Sequence, residues 1–278
     1  MPGDSGALRY IWKSSFDDTD GEISDFFESF GERVSSVIAI GADGNAVAAG
    51  HAAAVGELVS PGGDRLPCAM LYAIAALPEA RGRGHGGEVT RALTLTAGEL
   101  GYPAVVLRPG GESLFEYYRR RAGFCDWFYA RELACSAHDL PRAHNARLRR
   151  LAPREYRAAR ERQLTGTAHI DADESALEYQ RRLCERSGGG MFEITLGGAT
   201  ACAVAEYAPD GTLITRELLA LEGDPALFAS ALLAALPAPS VTARCPARRG
   251  DGTRFGMIHT SLAPPPPHIS NWYGPAFD

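Results

Sequence analysis

Four glycines within six residues, Gly82, Gly84, Gly86 and Gly87, stand between Arg81 and the helical pattern that begins at Val89. The full stretch, LPEARGRGHGGEVTRAL, runs from Leu77 to Leu93. An extended apolar run, Leu66 to Leu77, leads into it, and a helix to about Leu100 follows, so the glycines mark a strand–turn–helix junction. Backbone N–H groups at a helix N-terminus have no intrahelical acceptors. Together with the helix dipole they favour phosphate oxygens. Glycines let such a group approach the main chain and permit unusual dihedrals, and Arg81 and Arg83 add positive charge. The stretch therefore reads as a pyrophosphate cradle. A P-loop needs Gly-Lys followed by Ser or Thr, where Gly86-Gly87-Glu88 stands instead. Gly82, Gly84 and Gly87 fit a dinucleotide fingerprint formally. A hairpin rather than a βαβ unit precedes them, however, and Pro78 to Arg81 fills the turn.

The surroundings order themselves by period. Leu8 to Phe16 and Ile23 to Phe30 read as short amphipathic helices, with DDTDGE between them as turn and N-cap. Val34 to Ile40, closed by GADGN, and Ala46 to Val55 read as a strand hairpin. After the cradle helix come a strand at Ala104 to Leu107, a helix at Ser113 to Arg121 and a strand at Phe124 to Cys135. A basic connector, Ala143 to Arg162, holds seven arginines and reads as a solvated helix face, the alternative being an anion-binding patch. Beyond it, strands at Met191 to Leu196, Thr200 to Tyr207 and Leu213 to Leu221, a helix at Pro225 to Leu236 and a strand at Val241 to Arg244 repeat the earlier order. VVLRPGG and VTARCPA close the two copies alike, which suggests a weak internal duplication. The second copy has LEGDPALFAS where the first has the cradle. The expected division is a first domain over 1–140 and a second over 141–278. The proline run Ala263 to His268 is a stiff spacer. The tail beyond it, with Trp272, Tyr273 and Phe277, is too aromatic to hang in water.

The run Ile74-Ala75-Ala76-Leu77-Pro78-Glu79-Ala80-Arg81-Gly82-Arg83-Gly84-His85-Gly86 resembles motif A of the GNAT acyltransferases, with its core on Arg81, Gly84 and Gly86. SLFEYYRRRAGF (Ser113 to Phe124) resembles the family's second signature, an aromatic-rich helix ending in Gly-Phe. The two occur in order at the normal separation, and the resemblance covers about Val34 to Phe128. It implies an α/β (α+β) fold: a GNAT-type mixed sheet flanked by helices, followed by a second, degenerate GNAT-like lobe. It implies acetyl-CoA or a related acyl-CoA as donor and an amine as acceptor. The backbone of Ile74, Ala75 and Ala76 would pair with the pantetheine arm like an added strand. Arg81, Gly82, Arg83, Gly84, His85 and Gly86 would hold the pyrophosphate. Backbone N–H of a splayed strand would polarise the thioester carbonyl. Tyr118, with Tyr117 second, would be the acid at the departing thiolate. Three positions depart from the family pattern. Pro109 to Glu112 lacks the usual asparagine, Tyr118 stands five rather than four residues before Gly123, and the first strand is missing.

The base stays open among His51, Glu57 and His85. A further candidate is Asp278, since the chain's end can reach the active site in multi-lobed enzymes of this kind; a carboxylate in a partly dry cleft is a better base. The contrary expectation is that the tail pairs as a strand, filling the missing first-strand slot. A non-catalytic acyl-CoA sensor or interaction protein is the alternative to an enzyme, and a nicotinamide-binding oxidoreductase is a third reading.

Composition trims these choices. The 278 residues carry a net charge of −6, which disfavours nucleic acid as a partner. Lys13 is the sole lysine, so the arginine content reads as compositional bias. No apolar run reaches a membrane span and the N-terminus lacks a secretory pattern. The expectation is a cytoplasmic protein, compatible with a homodimer. Six scattered cysteines without a C-x-x-C pair read as free thiols, and the histidine spacings give no metal site.

Overall fold

Strand β2 (Ala46–Val59) shows how the first half is layered in the computed structural model, which describes residues 2–139, 143, 145–263, 266 and 268–278. Its side chains alternate between faces, as a strand's must. Ala48 and Ala52 join Val89, Leu93 and Ala97 on one side. Ala49 joins Ile11 on the other, where His51 meets Trp12 and Phe26. The chain forms two compact units. The first comprises Met1–Glu57, Leu66–Trp127 and Gly256–Ala263; the second comprises Leu58–Arg65, Phe128–Phe255 and Pro264–Asp278.

In the first unit the strand order is β1 (Val34–Ile40), β2, β3 (Arg65–Ala76), β4 (Ala104–Leu107) and β12 (Thr253–His259). Helices α3 (His85–Glu99) and α4 (Glu112–Ala122) cover one face; α1 (Pro2–Lys13) and α2 (Asp20–Phe30) cover the other. Thr19 starts α2 with a capping box, its hydroxyl accepting from the Glu22 N–H while the Glu22 carboxylate accepts from the Thr19 N–H at 2.7 Å. Trp12, Phe26 and Phe30 are fully buried, each worth roughly 1.5–3 kcal/mol in removed apolar surface. The strand beside β4 comes from far along the chain. Met257, Ile258 and His259 pair antiparallel with Leu107, Val106 and Val105, a strand that the sequence pattern beyond Arg244 does not announce. Among the described residues β1 pairs only with β2, so no strand fills the missing first slot.

In the second unit, β5 (Cys125–Ser136), β11 (Ser240–Ala247), β10 (Leu213–Leu219), β9 (Ala199–Tyr207), β8 (Gly190–Leu196) and β6 (Arg147–Arg150) lie side by side. Helix α7 (Pro225–Ala235) packs Phe228 and Leu232 with Ala201, Ala203, Ala205 and Val241. Helices α5 (Pro153–Gln163) and α6 (Glu174–Arg186) pack on β8 and β9. The order three strands, helix, strand recurs as expected from the sequence. A further strand, β7 (Ala168–Ala172), and α6 were not legible. The tail forms a short strand, β13 (Asn271–Trp272), which pairs with β7 and β11, correcting the expectation that it fills the first-strand slot.

The basic connector is solvated over most of its arginines, Arg147, Arg149, Arg150, Arg154 and Arg162 being exposed. The exceptions are Arg160, fully buried, and Arg157, which pairs with Asp171 at 2.7 Å, while the exposed Arg149 and Arg162 pair with Glu193 at 3.0 Å each. Pro264, Pro265 and Pro267 of the proline run lie outside the described residues. Among the described residues no helix is long and apolar enough to cross a membrane, and no group of three His, Cys, Asp or Glu could hold a metal ion.

Candidate active site

Strands β3 and β4 run parallel, with Cys68, Ala69 and Met70 opposite Ala104, Val105 and Val106. There the recorded pairing stops, while β3 continues to Ala76. At Ala73 the backbone enters the left-handed region, φ +50°, uncommon for a residue with a Cβ. The side chains record the consequence. Ala69 and Leu71 face α3 and α4, and beyond Ala73 that face is taken by Ile74 and Ala76. Tyr72 faces Trp12 and Phe26, and Ala75 packs with Ile11. Without an extra residue, Ala73 and Ala75 would have continued the first face. Ala73 is thus a bulge that flips the alternation and opens β3 from β4. The main-chain edge of Ile74, Ala75 and Ala76 lies beyond this opening.

From Leu77 the chain makes a 3₁₀ turn at Pro78–Ala80 and reaches α3 through Arg81 to Gly84. Gly82 and Gly84 have φ of +78° and +95°, conformations in which any L side chain is strained. Nothing lies within 4 Å of where a Cβ would stand on either, so the space over the turn is open. Gly84 is the N-cap of α3 and supplies no side chain to it. The Gly87 and Glu88 N–H groups bond the Gly84 carbonyl. Those of Gly82 to Gly86 find no backbone acceptor among the described residues. Arg81 donates from Nε to the Ala76 carbonyl at 3.2 Å, tying turn to strand. Arg83 is exposed and makes no ion pair among the described residues. Outward amides, two left-handed glycines, open space and an arginine form the donor set that a pyrophosphate requires.

Helix α4 carries the tyrosines. It runs unbroken to Ala122 and ends at Gly123, φ +70°, so the extra residue of the second signature sits inside the helix rather than after it. Tyr118 is buried among Leu71, Val105, Leu107, Phe115, Phe124 and Met257, and burial pushes its hydroxyl up to about 12. Tyr117 is half-buried, and burial also raises it. Its hydroxyl lies 3.0 Å from where a Gly86 Cβ would stand, at the head of α3. Sequence order placed Tyr118 first; the geometry brings Tyr117 to the cradle.

The candidate bases separate. His51 is buried, its Nδ1 2.7 Å from the Ser36 hydroxyl, within an aromatic cluster of Trp12, Phe26 and Phe27. Burial lowers it to about 4. Glu57 lies inside β2, which extends past it to Val59. His85 begins α3, with Nδ1 3.4 Å from Glu88. Asp278 lies in the second unit, its side-chain carboxylate held by both Arg244 amino groups at 2.9 and 2.8 Å. The Asp278 side chain is thus largely dry, as expected, but it is ion-paired within the second unit. A groove of about 680 Å³ along the C-terminal half of α3, lined by Thr94, Leu95, Tyr102 and His259, is away from the cradle.

A bulged, splayed strand pair leading into an uncapped glycine turn is the arrangement expected of the GNAT fold, and the comparisons agree on that fold. Residues 4–124 match the acetyltransferase (GNAT) domain model. No curated protein sequence matches the chain. Among solved structures, a conserved protein of Enterococcus faecalis V583 described as a probable N-acyltransferase shares the fold with TM-score 0.68 at 15% identity, over 92% of this chain and 69% of that one. A GCN5-related N-acetyltransferase from Anabaena variabilis gives 0.67 at 16%, over 93% and 70%. A tandem GNAT protein from the clavulanic acid biosynthesis pathway gives 0.52 at 11%, over 89% and 90%. The chain thus carries a GNAT acetyltransferase domain in its first half and, through its length, the mixed α/β fold of GNAT proteins, tandem ones included.

Proposed function

We propose that the protein moves an acetyl group from acetyl-CoA to an amine acceptor by direct transfer in a ternary complex. The observation that carries this is the junction of two features in one unit: the Ala73 bulge, which opens β3 from β4, and the uncapped Gly82–Gly84 turn at the head of α3. The main chain of Ile74, Ala75 and Ala76 would take the pantetheine arm as an added strand. The amides of Gly82 to Gly86, with Arg81 and Arg83, would take the pyrophosphate. Acetyl-CoA, when bound, supplies an acyl group activated as a thioester. Main-chain N–H groups at the opened strand would orient toward the developing oxyanion. Tyr118 is the proposed proton donor at the departing thiolate, with Tyr117 second; the Tyr117 hydroxyl lies at the head of α3, beside the amides that would take the pyrophosphate. Asp278, the base expected from the sequence, is held by Arg244 in the second unit, and no base is assigned.

The test is turnover with acetyl-CoA against a panel of amines, preceded by thermal shifts with acetyl-CoA and NAD added separately. Stabilisation by acetyl-CoA but not NAD, followed by acetylation of at least one amine, supports the proposal; stabilisation by NAD alone ends it. Tyr117→Phe and Tyr118→Phe assign the donor, which is the one whose loss lowers kcat while leaving acetyl-CoA affinity intact. A second reading, a non-catalytic acyl-CoA sensor, is favoured by the burial of Tyr118. It predicts acetyl-CoA binding with no turnover on any amine.

A further inference from the structure

We infer that the second unit keeps a strand splay of its own, and that its ligand is the chain's C-terminus: Asn271 to Asp278 fill it as a built-in peptide with Asp278 at the apex. Strands β10 and β11 run parallel over Leu213 to Thr215 against Val241 to Ala243, the same three-residue pairing as β3 with β4. The register of β10 on β9 then slips between Thr215 and Glu217, leaving Arg216 as the extra residue. Beyond the slip β11 has a new neighbour, since Ala247 pairs antiparallel with Asn271 of the tail. The tail's other edge pairs with Ala168 and His169 of β7. This is strand addition at an opened sheet edge, carried out by the chain on itself.

The side chains of the opening are built for this occupant. Trp272 is fully buried and donates from Nε1 to Glu217, the residue after the bulge, at 2.6 Å. Glu217 also accepts from the Tyr156 hydroxyl at 2.7 Å and from Arg160 Nε at 3.1 Å. Arg160 in turn donates to the Ile170 carbonyl at 2.7 Å and to the Gly274 carbonyl of the tail. Phe255 stacks on Trp272 at 5.4 Å, and Phe277 meets Tyr179 at 5.1 Å. At the apex, Arg244, next to the last residue of β11 that pairs with β10, grips the Asp278 carboxylate through both amino groups, and Arg216, the bulge itself, stands 3.8 Å from it. Bidentate arginine–carboxylate contact is a recognition geometry; Arg216 is itself bonded to Glu206 at 2.7 Å, so Arg244 is the group that gives the slot its preference for a peptide with an acidic end. The inference concerns the second unit alone and stands apart from acyl transfer.

The test uses the full chain with a protease site inserted after the exposed His268. The folded protein is cleaved, passed over a sizing column under native conditions and analysed by mass spectrometry. The tail peptide should remain with the body, and Arg244→Ala in the same background should weaken its retention about tenfold or more, the loss of a charge-assisted contact worth about 1.4 kcal/mol. A labelled peptide of sequence NWYGPAFD should exchange into the nicked protein. Circular dichroism of the nicked body shows that it is folded. Immediate loss of the tail from the folded wild-type body, or equal retention with and without Arg244, overturns the inference. Neither readout needs acetyl-CoA, so its failure is distinguishable from failure of the acyltransferase proposal.

Discussion

The two splays start alike and end in opposite ways. In each, three residues pair in parallel and a bulge follows, at Ala73 in one and Arg216 in the other. In the first unit the next helix opens on Gly84, which offers no side chain to the outward amides. In the second, α7 opens on Asp224, whose carboxylate accepts from the Ala226 N–H at 2.9 Å. An amide with an internal carboxylate partner is both satisfied and shielded by negative charge from an anion. One framework is therefore suited to an exogenous anion or to an endogenous peptide according to a few residues at its rim. The GNAT domain model ends at residue 124, within the first unit.

The contrast can be broken at several points. Glu217→Leu should have the largest effect, because it removes the buried ion-pair partner of the fully buried Arg160, leaving only Glu161 at 3.7 Å. Removing one partner of a buried pair costs about 3–5 kcal/mol, which urea unfolding would register; a loss below ~1 kcal/mol would show that the network adds little. Gly84→Val should come next. It forces a β-branched residue into a left-handed conformation and fills the open space over the turn. Acetyl-CoA affinity should fall by about 100-fold, or ~3 kcal/mol, by calorimetry, whereas Gly223→Val at the corresponding turn of the second unit should leave it unchanged. Equal effects of the two would erase the distinction between the units.

Acid should discriminate more weakly. His51, held near 4 by burial, binds a proton in the unfolded chain at about 6.5 but not in the folded one. Stability then rises with pH between those values and is lost as pH falls through them. The difference between pH 7 and pH 5 should be about 2 kcal/mol. His51→Gln should flatten that part of the profile; an unchanged slope would place acid sensitivity elsewhere. Asp224→Ala is expected to be the mildest change, about 1 kcal/mol for a lost N-cap, with no gain of acetyl-CoA binding by the second unit. A second equivalent of acetyl-CoA bound to this variant would mean that the cap alone had closed that site.

Sequence reasoning succeeded where one residue type carries a local demand. Val34–Ile40 and Ala104–Leu107 were legible as strands from apolar runs bounded by turns, and the turn at the head of α3 from glycines, which take φ +78° and +95° without the strain a Cβ brings. It failed where the demand is met from a distance. Strand β7 carries His169 and Asp171 in its buried run, which hides the apolar signal. They are tolerated because Glu161, Arg157 and Arg65 come to them through the fold. Ala73 has no chemistry that announces a bulge. The order of Tyr117 and Tyr118 depended on where an added helical residue is absorbed, and a helix turns about 100° per residue. The tail's aromatic residues showed that it docks, but its destination is set by Glu217, Arg216 and Arg244.

The pairing of β12 with β4 has a consequence for how this chain is made. Leu107 leaves the ribosome about 150 residues before Met257, its partner in the first unit. At ordinary synthesis rates that is a wait of roughly 8–30 s. Throughout it β4, fully apolar and buried in the finished protein, presents an unpaired edge of the kind that recruits other strands. The nascent chain therefore makes those residues with its first unit open along one side. Its yield in a cell should depend on translation speed and chaperone supply more steeply than its final stability would suggest.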